Sequence, residues 1–306
     1  MKVFTIIVTY NGMKWIDQCL KSLVNQSEVV VVDNNSSDDT VNHIKQYFPS
    51  IKVLIQTENL GFGIANNIGI SFALKNEANY VFLLNQDTTI EENTIKVLVN
   101  LAQANPDYGI ISPIHLNGNG NYLDESFLYY INNNYCKNFI SDFVLGKTKQ
   151  SIYNLSMISA AAWLLPKNTL ETVGGFDPMF FLYGEDDNYC QRVNFHKLKI
   201  GITPLTKIRH DSNNNNAKEN KIGSKVYYDQ FLNRIKIEYG NVNSDKYKDI
   251  GKLIFYLRKQ SLLSLLKFDF NKYLIFRTKI KLISNLNLEE KVQLNRKKDS
   301  NYLIKI

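Results

Sequence analysis

From Val3 to Leu116 the chain switches between two hydrophobic rhythms. Short runs that are apolar at nearly every position, "VFTIIVTY", "EVVVVD", "IKVLIQ", "YVFLLNQD" and "GIISPIHL", alternate with stretches whose apolar residues return every three or four positions. In "WIDQCLKSLVNQ" Trp15, Cys19, Leu20 and Leu23 fall on one helical face, and Val41, Ile44, Tyr47 and Phe48 do so in "VNHIKQYF". "GIANNIGISFALK" and "NTIKVLVNLAQAN" supply a third and a fourth helix. Runs without polar alternation are strands covered on both faces, and the helices between them are crossovers. The pattern predicts an α/β fold: a Rossmann-like, mostly parallel central sheet with helices on both faces and right-handed connections.

The rhythm breaks at residue 117. Residues 117–150 are rich in Asn and Tyr with weak periodicity, and read as a variable excursion. "SMISAAAWLLPK" is another buried strand, "NTLETVGG" a short helix stopped by glycine, and "DDNYCQRVNFHKL" a longer helix. "KIGITPLTKIRHD" reads as a late strand leaving the core. After the Asn run at 213–216 a helical pattern starts near Ser224 and continues, with interruptions, to about Lys298.

In open α/β sheets, ligands sit beyond the carboxyl ends of the strands. Three of these ends are polar: Thr9-Tyr10-Asn11, Asp33-Asn34-Asn35 and Asn85-Gln86-Asp87. One polar end is a turn or a helix cap, and "SSDDT" after Asp33 is a good capping run. Three on one edge predict a binding crevice. In "FLLNQDTTI", residues 82–90, an apolar strand delivers a single carboxylate, Asp87, which suits a hard divalent cation, Mn²⁺ or Mg²⁺.

Composition narrows the class. With 306 residues, 44% hydrophobic and 12% aromatic, the chain can bury a large core, and disorder is excluded for most of its length. Cys19, Cys136 and Cys190 are widely spaced, with neither a disulfide framework nor zinc spacing, as expected of reduced thiols in a cytoplasmic protein. "MKVFTIIVTYNG" is too short and too soon polar for a signal peptide, and no window reaches the length of a membrane span. Charge divides the chain: residues 246–306 hold 15 Lys and Arg against 5 Asp and Glu, whereas 1–245 hold 21 against 24. The expected organisation is a near-neutral body, 1–245, and a basic helical extension, 246–306. The extension points to a polyanionic surface, a membrane face ahead of nucleic acid.

A nicotinamide-type site needs GxGxxG directly after the first strand. Here that strand ends in "TYNGMKW", and "NLGFGIANN" follows the third strand with Asn66 where the last glycine belongs. "IIVTYNG", "VVVVDNNSSDDT", "NLGFGIANNIGI", "FLLNQDTTI" and "VGGFDPMFFLYGEDDNYCQRV" occur in this order. Together they resemble glycosyltransferase family 2, the inverting transferases of GT-A fold, over roughly residues 3–240. The "NLGFGIANN…LLNQDT" combination is most similar to the rhamnosyltransferase-like branch that builds bacterial O-antigens, capsules and related polysaccharides.

The resemblance implies roles. Thr9, Tyr10, Asn11, Asp33 and Asn34 would hold the nucleotide, with Asn59, Gly61, Phe62 and Asn66 along the sugar and diphosphate. "NQD" stands for a DXD signature in which Asn85 replaces the first Asp, Gln86 is the variable residue and Asp87 binds the metal. Asp186 would be the general base, Glu185 would orient it or bind acceptor, and His210 would complete the metal site. Asn188 stands where the family usually has Asp. Three adjacent acids, Glu185 to Asp187, should raise one another's pKa. Residues 1–116 would form the nucleotide-binding half and 151–245 the acceptor half. The implied activity is transfer of a sugar, L-rhamnose from dTDP-rhamnose or a hexose or galactofuranose from UDP, to a lipid-linked glycan at the inner membrane face. A nucleotide-sugar-binding subunit without turnover is the other reading, which Asn85 and Asn188 would favour.

Overall fold

The computed structural model describes residues 1–132, 136–212, 221–299 and 301–303; the Asn run at 213–216 lies outside them. The apolar runs become strands because both of their faces are covered. In β1 (Val3–Thr9), β2 (Glu28–Asp33) and β4 (Tyr80–Leu84), Phe4, Ile6, Val30, Val32, Val81 and Leu83 point to one core. Ile7, Val31, Phe82 and Leu84, the alternate positions, point to another. Between them run α1 (Ile16–Ser22), α2 (Thr40–Tyr47), β3 (Lys52–Ile55) and α3 (Phe62–Lys75). Next come β5 (Thr88–Ile90), a three-residue strand not foreseen in the sequence, α4 (Thr94–Ala104) and β6 (Tyr108–Asn117).

The excursion holds more structure than its composition predicts. It carries α5 (Glu125–Tyr130) and α6 (Phe139–Val144), and it buries Phe127, Ile131, Cys136 and Phe139. The elements are too short for periodicity to show, so only burial reveals them. Then follow β7 (Tyr153–Leu155), β8 (Ala162–Pro166), α7 (Lys167–Val173), α8 (Glu185–Phe195) and β9 (Lys199–His210).

The strand order is β3-β2-β1-β4-β8-β6-β9-β5, with β7 also on β9. The half made of β3, β2, β1 and β4 is parallel, as expected. Beyond β4 the sheet is mixed: β8 runs antiparallel to β4 and β6, and β9 is parallel to β6 but antiparallel to β5 and β7. "Mostly parallel" is thus corrected to mixed, because buried strands of either sense look alike in sequence. Nor does β9 leave the core. It lies between β6 and β5 and buries Ile200, Ile202 and Ile208.

The chain divides into two compact units, Met1–Asn213 with Lys298–Ile306, and Asn214–Lys297. This differs from the division at 245, where charge changes but helix packing does not. In the second unit α9 (Lys225–Tyr239), capped by Ser224, leads through a 3₁₀ turn (Lys246–Asp249) to α10 (Ile250–Leu266). α11 (Phe270–Ser284), capped by Asp269, and α12 (Leu288–Asn295) follow, around buried Val242, Tyr247, Leu257, Ile283 and Val292. The last described residues return to the first unit. Gly175 N–H donates to the Asn301 carbonyl at 2.8 Å, and the Tyr302 hydroxyl donates to Asp177 at 3.0 Å.

Candidate active site

The parallel register sets Thr9 beside Asp33, and Asp33 beside Ile55, so the tips of β1 and β2 are level. Gln86, just past β4, ties that strand to β1: its Oε1 accepts from Thr9 Oγ1 at 2.7 Å and from Tyr10 N–H at 3.1 Å. Across β2, Asn34 Nδ2 donates to Asn59 Oδ1 at 2.8 Å, and Asn34 Oδ1 accepts from Leu60 N–H at 2.9 Å. These amides shape the loop into α3. At its end Gly61 has φ +80° and ψ 173°, a region open essentially to glycine alone. Phe62 N–H then donates to the Phe181 carbonyl at 3.2 Å, seating the aromatic loop over the start of α3.

The result is a cavity of about 250 Å³. Tyr10, Asn34, Asn59, Gly61, Phe62, Asn85, Gln86 and Asp87 all line it, and Val8, Phe181 and Leu182 add apolar wall. Five of the expected residues stand behind the wall. Thr9 holds Gln86, and Asn11 accepts from Ser37 N–H at 2.8 Å. Asp33 is buried, with Oδ2 accepting from Ser36 N–H at 3.2 Å and Oδ1 without a partner. The turn reading of Asp33 is therefore half of the answer, and its second oxygen is uncommitted. Asn66 does not face the cavity, because its amide donates to Phe62 O, one turn back in its own helix, at 3.0 Å. Its neighbour Asn67 instead bridges Phe176 N and O at 2.7 and 2.8 Å, which fixes "VGGF" against α3. His210 sits behind Asp87.

The acids of α8 start one step from this wall. Gly63, next to cavity-lining Phe62, has no side chain, and a Cβ there would lie 3.9 Å from Glu185 Cβ. Glu185 is buried, and burial together with the charge of Asp187 pushes its carboxyl up to about 7. Burial, then the charge of Glu185, raises Asp186 well above the usual carboxylate range. The expected mutual repulsion is present, but desolvation is the larger cause. Asp186 Oδ2 accepts from Ala160 N–H at 3.0 Å, while its Oδ1 and Glu185 Oε2 are buried without partners. Asp186 does not line this cavity.

At the far edge β9 runs antiparallel to β5, with His210 opposite Thr88, and Asp211 N–H donates to Asp87 O at 2.9 Å. His210 Nε2 lies 3.5 Å from Asp87 Oδ1 and 3.4 Å from Asn85 Nδ2, and its Nδ1 lies 3.3 Å from Asp124 Oδ2. Burial opposes charge on this imidazole, but the two carboxylates outweigh it and push it up to about 9. Sequence reasoning missed Asp124: in "YLDES" it signals only a helix cap, and nothing in its spacing ties it to residue 210. A second cavity, about 270 Å³, also has Asp87 in its wall, with Lys14, Trp15, Arg209 and Asp211. It too was unforeseen.

The donor set around Asp87 fits a divalent cation in part. Asp87 Oδ1 and Asn85 Oδ1 are buried hard oxygens without hydrogen-bond partners, and beside them stands His210 Nε2, which must give up its proton before it can ligate a cation. Among the described residues no three His, Cys, Asp or Glu side chains converge on one point, so the chain supplies a fraction of a coordination sphere.

Sheet and crevice define an α/β protein with a cavity past its strand tips and an acid cluster, headed by buried Glu185, beside the wall of that cavity. A family model described as Glycosyl transferase family 2 matches residues 5–157, half of the chain, and the chain belongs to that family. It is 25% identical over 209 residues to the dTDP-rhamnosyl transferase RfbF of Shigella flexneri, covering 68% of each chain. It is 28% identical over 213 residues to the low-salt glycan biosynthesis hexosyltransferase Agl10 of Haloferax volcanii, covering 67% of this chain and 66% of that one. Among solved structures it resembles GalNAc-T7 with UDP, GalNAc and Mn²⁺. The TM-score is 0.57 at 17% identity, over 92% of this chain and 55% of that one, which shows a shared GT-A-like fold.

Proposed function

We propose that this protein transfers a hexose with inversion from a nucleotide diphosphate donor, dTDP-L-rhamnose first, to a lipid-linked glycan. The observation that carries the proposal is the pooling of three strand tips and Asp87 in one cavity, with the acids of α8 beside its wall. The resemblance to a dTDP-rhamnosyl transferase supports the donor, and the likeness to the hexosyltransferase Agl10 supports a hexose as the sugar; a UDP-hexose donor stands second.

In this reading the base enters between Tyr10 and the Asn34–Asn59 pair, and a shift of that wall uncovers the uncommitted Asp33 Oδ1 for a pyrimidine or ribose donor. Asp87, with His210 and Asn85 next to it, would hold a divalent cation, Mn²⁺ or Mg²⁺, which would offset the charge of the departing diphosphate. Phe62 and Phe181 border the sugar. Asp186 is the general base. With Oδ2 fixed by Ala160 N–H, its Oδ1 receives the acceptor hydroxyl proton as that oxygen bonds to the anomeric carbon and the diphosphate oxygen leaves on the opposite face. A raised pKa makes the carboxylate a better proton acceptor, and Glu185 beside it orients it or binds acceptor.

The catalytic body would be 1–245 by role, with the helices beyond it resting on the inner face of the cell membrane, where a lipid-linked acceptor is presented. No described helix is long and apolar enough to cross a membrane. Exposed Phe255, Tyr256, Leu262, Leu266, Phe268 and Phe270 alternate with Lys and Arg in this stretch, which supports an interfacial contact. A thermal-shift panel of UDP-, dTDP- and GDP-sugars with and without Mn²⁺ tests the donor and the cation together. Stabilisation by dTDP-rhamnose that grows with Mn²⁺ is expected; no response to any nucleotide sugar overturns the reading.

A further inference from the structure

The excursion after β6 places one carboxylate where the strand-end histidine needs it. Asn117 Oδ1 accepts from Asn121 and Tyr122 N–H at 3.1 and 3.3 Å, and Gly120, at φ +73°, turns the chain back. Leu123 then bridges to Leu116, and Asp124 N–H donates to the His115 carbonyl at 3.0 Å. In the β6–β9 register Asn117 is opposite His210, so this turn returns Asp124 to the tip of β9.

The two oxygens of Asp124 do different work. Oδ1 caps α5, accepting from Ser126 N–H at 2.8 Å and Phe127 N–H at 3.1 Å. One oxygen suffices for a cap, and Ser or Asn would serve as well as Asp. Oδ2 instead lies 3.3 Å from His210 Nδ1 and accepts from Ser212 Oγ at 2.5 Å, in a side chain with no exposure at all. A carboxylate on one imidazole nitrogen leaves the other free for a ligand and sets the plane of the ring. That other nitrogen is the one facing Asp87 and Asn85.

We infer that Asp124 is a positioning residue for the cation site, holding the His210 ring so that Nε2 is presented beside Asp87. This rests on the reading that Asp87 and His210 hold a divalent cation. It assigns a purpose to a segment that the sequence pattern marked only as variable: the turn and α5 form a bracket for the metal side of the pocket.

The test is Mn²⁺ binding, followed by electron paramagnetic resonance on the full chain, with Mn²⁺ alone and with UDP or dTDP. Asp124→Asn and Asp124→Ser each keep a capping oxygen and remove the acceptor for Nδ1. Both are expected to fold, with melting temperatures within a few degrees of the unaltered protein, and to weaken Mn²⁺ about 10- to 100-fold. In a His210→Ala background Asp124→Asn should add less than a twofold change, because nothing is left to position. Two failures are distinguishable. If His210→Ala leaves Mn²⁺ affinity unchanged, or the unaltered protein binds no Mn²⁺, the cation reading itself falls. If His210→Ala weakens Mn²⁺ while folded Asp124→Asn and Asp124→Ser do not, or if the two changes add in full, the role given to Asp124 is overturned and it is a cap alone.

Discussion

Substituting alanine at Gly61 strains the lip of the pocket where backbone, not side chain, stands in the way. The added Cβ would lie 2.1 Å from the Phe181 carbonyl oxygen and 3.0 Å from its carbon, so the loop must retreat by roughly 1 Å or more to reach ordinary contact. The backbone at φ +80°, ψ 173° costs a non-glycine residue about 1–3 kcal/mol. Retreat of the loop also breaks the Phe62 N–H to Phe181 O bond, worth about 0.5–1.5 kcal/mol. A loss of about 2–4 kcal/mol is expected, read in urea as a lower midpoint at unchanged slope. Because Phe181 and Leu182 line the cavity, nucleotide affinity by calorimetry should also fall, by about tenfold for 1.4 kcal/mol of lost contact. Gly251→Ala is the control: it lies in α10 with nothing within 4 Å of its Cβ, and should be neutral or slightly stabilising. Were Gly61→Ala to match the unaltered protein within about 0.5 kcal/mol, a change typical of an unconstrained surface site, and bind nucleotide equally well, the loop would not be seated as described.

Four further outcomes are expected. Asp186→Asn should lower turnover about 10²- to 10⁴-fold, measured with radiolabelled donor, and leave donor affinity in place. The raised Glu185 pKa makes the folded state hold a proton that the unfolded chain has lost between the ordinary value of 4.5 and about 7. Stability should therefore fall as pH rises through that window, by up to about 1.4 kcal/mol per pH unit for one proton, and Glu185→Gln should flatten the slope in urea titrations. Tyr302→Phe removes the hydroxyl that donates to buried Asp177, and should cost about 1.5–3 kcal/mol and several degrees of melting temperature, though it lies far along the chain from the sheet it supports. Replacing Phe255, Leu262, Leu266 and Phe268 with Ser in the full chain should abolish flotation with anionic vesicles at low salt; equal recovery would remove the membrane proposal.

Much of the fold was legible because burial on both sides of a sheet leaves its mark directly in composition. The runs ending at Thr9, Asp33 and Leu84 are apolar at nearly every position, and a strand that rises about 3.3 Å per residue must then deliver the next polar side chains at its tip. Asn85, Gln86 and Asp87 could be located that way, and so could the acids of α8 after their glycine stop. What one chain's order could not determine was which groups meet once the sheet closes on itself. Strand sense is invisible to a period-two pattern, so the antiparallel β8 and the central place of β9 emerged only from pairing. The same holds for Asn67 in place of Asn66, which differ by 100° around one helix and were distinguished by what packs on each side. Asp124 is the clearest case. Its neighbours in sequence make it a helix cap, while its meeting with His210, 86 residues further on, depends on the hydrogen-bonded register between β6 and β9. Local rhythm determined the elements and their polar ends; tertiary contact alone decided which of those ends share a charge.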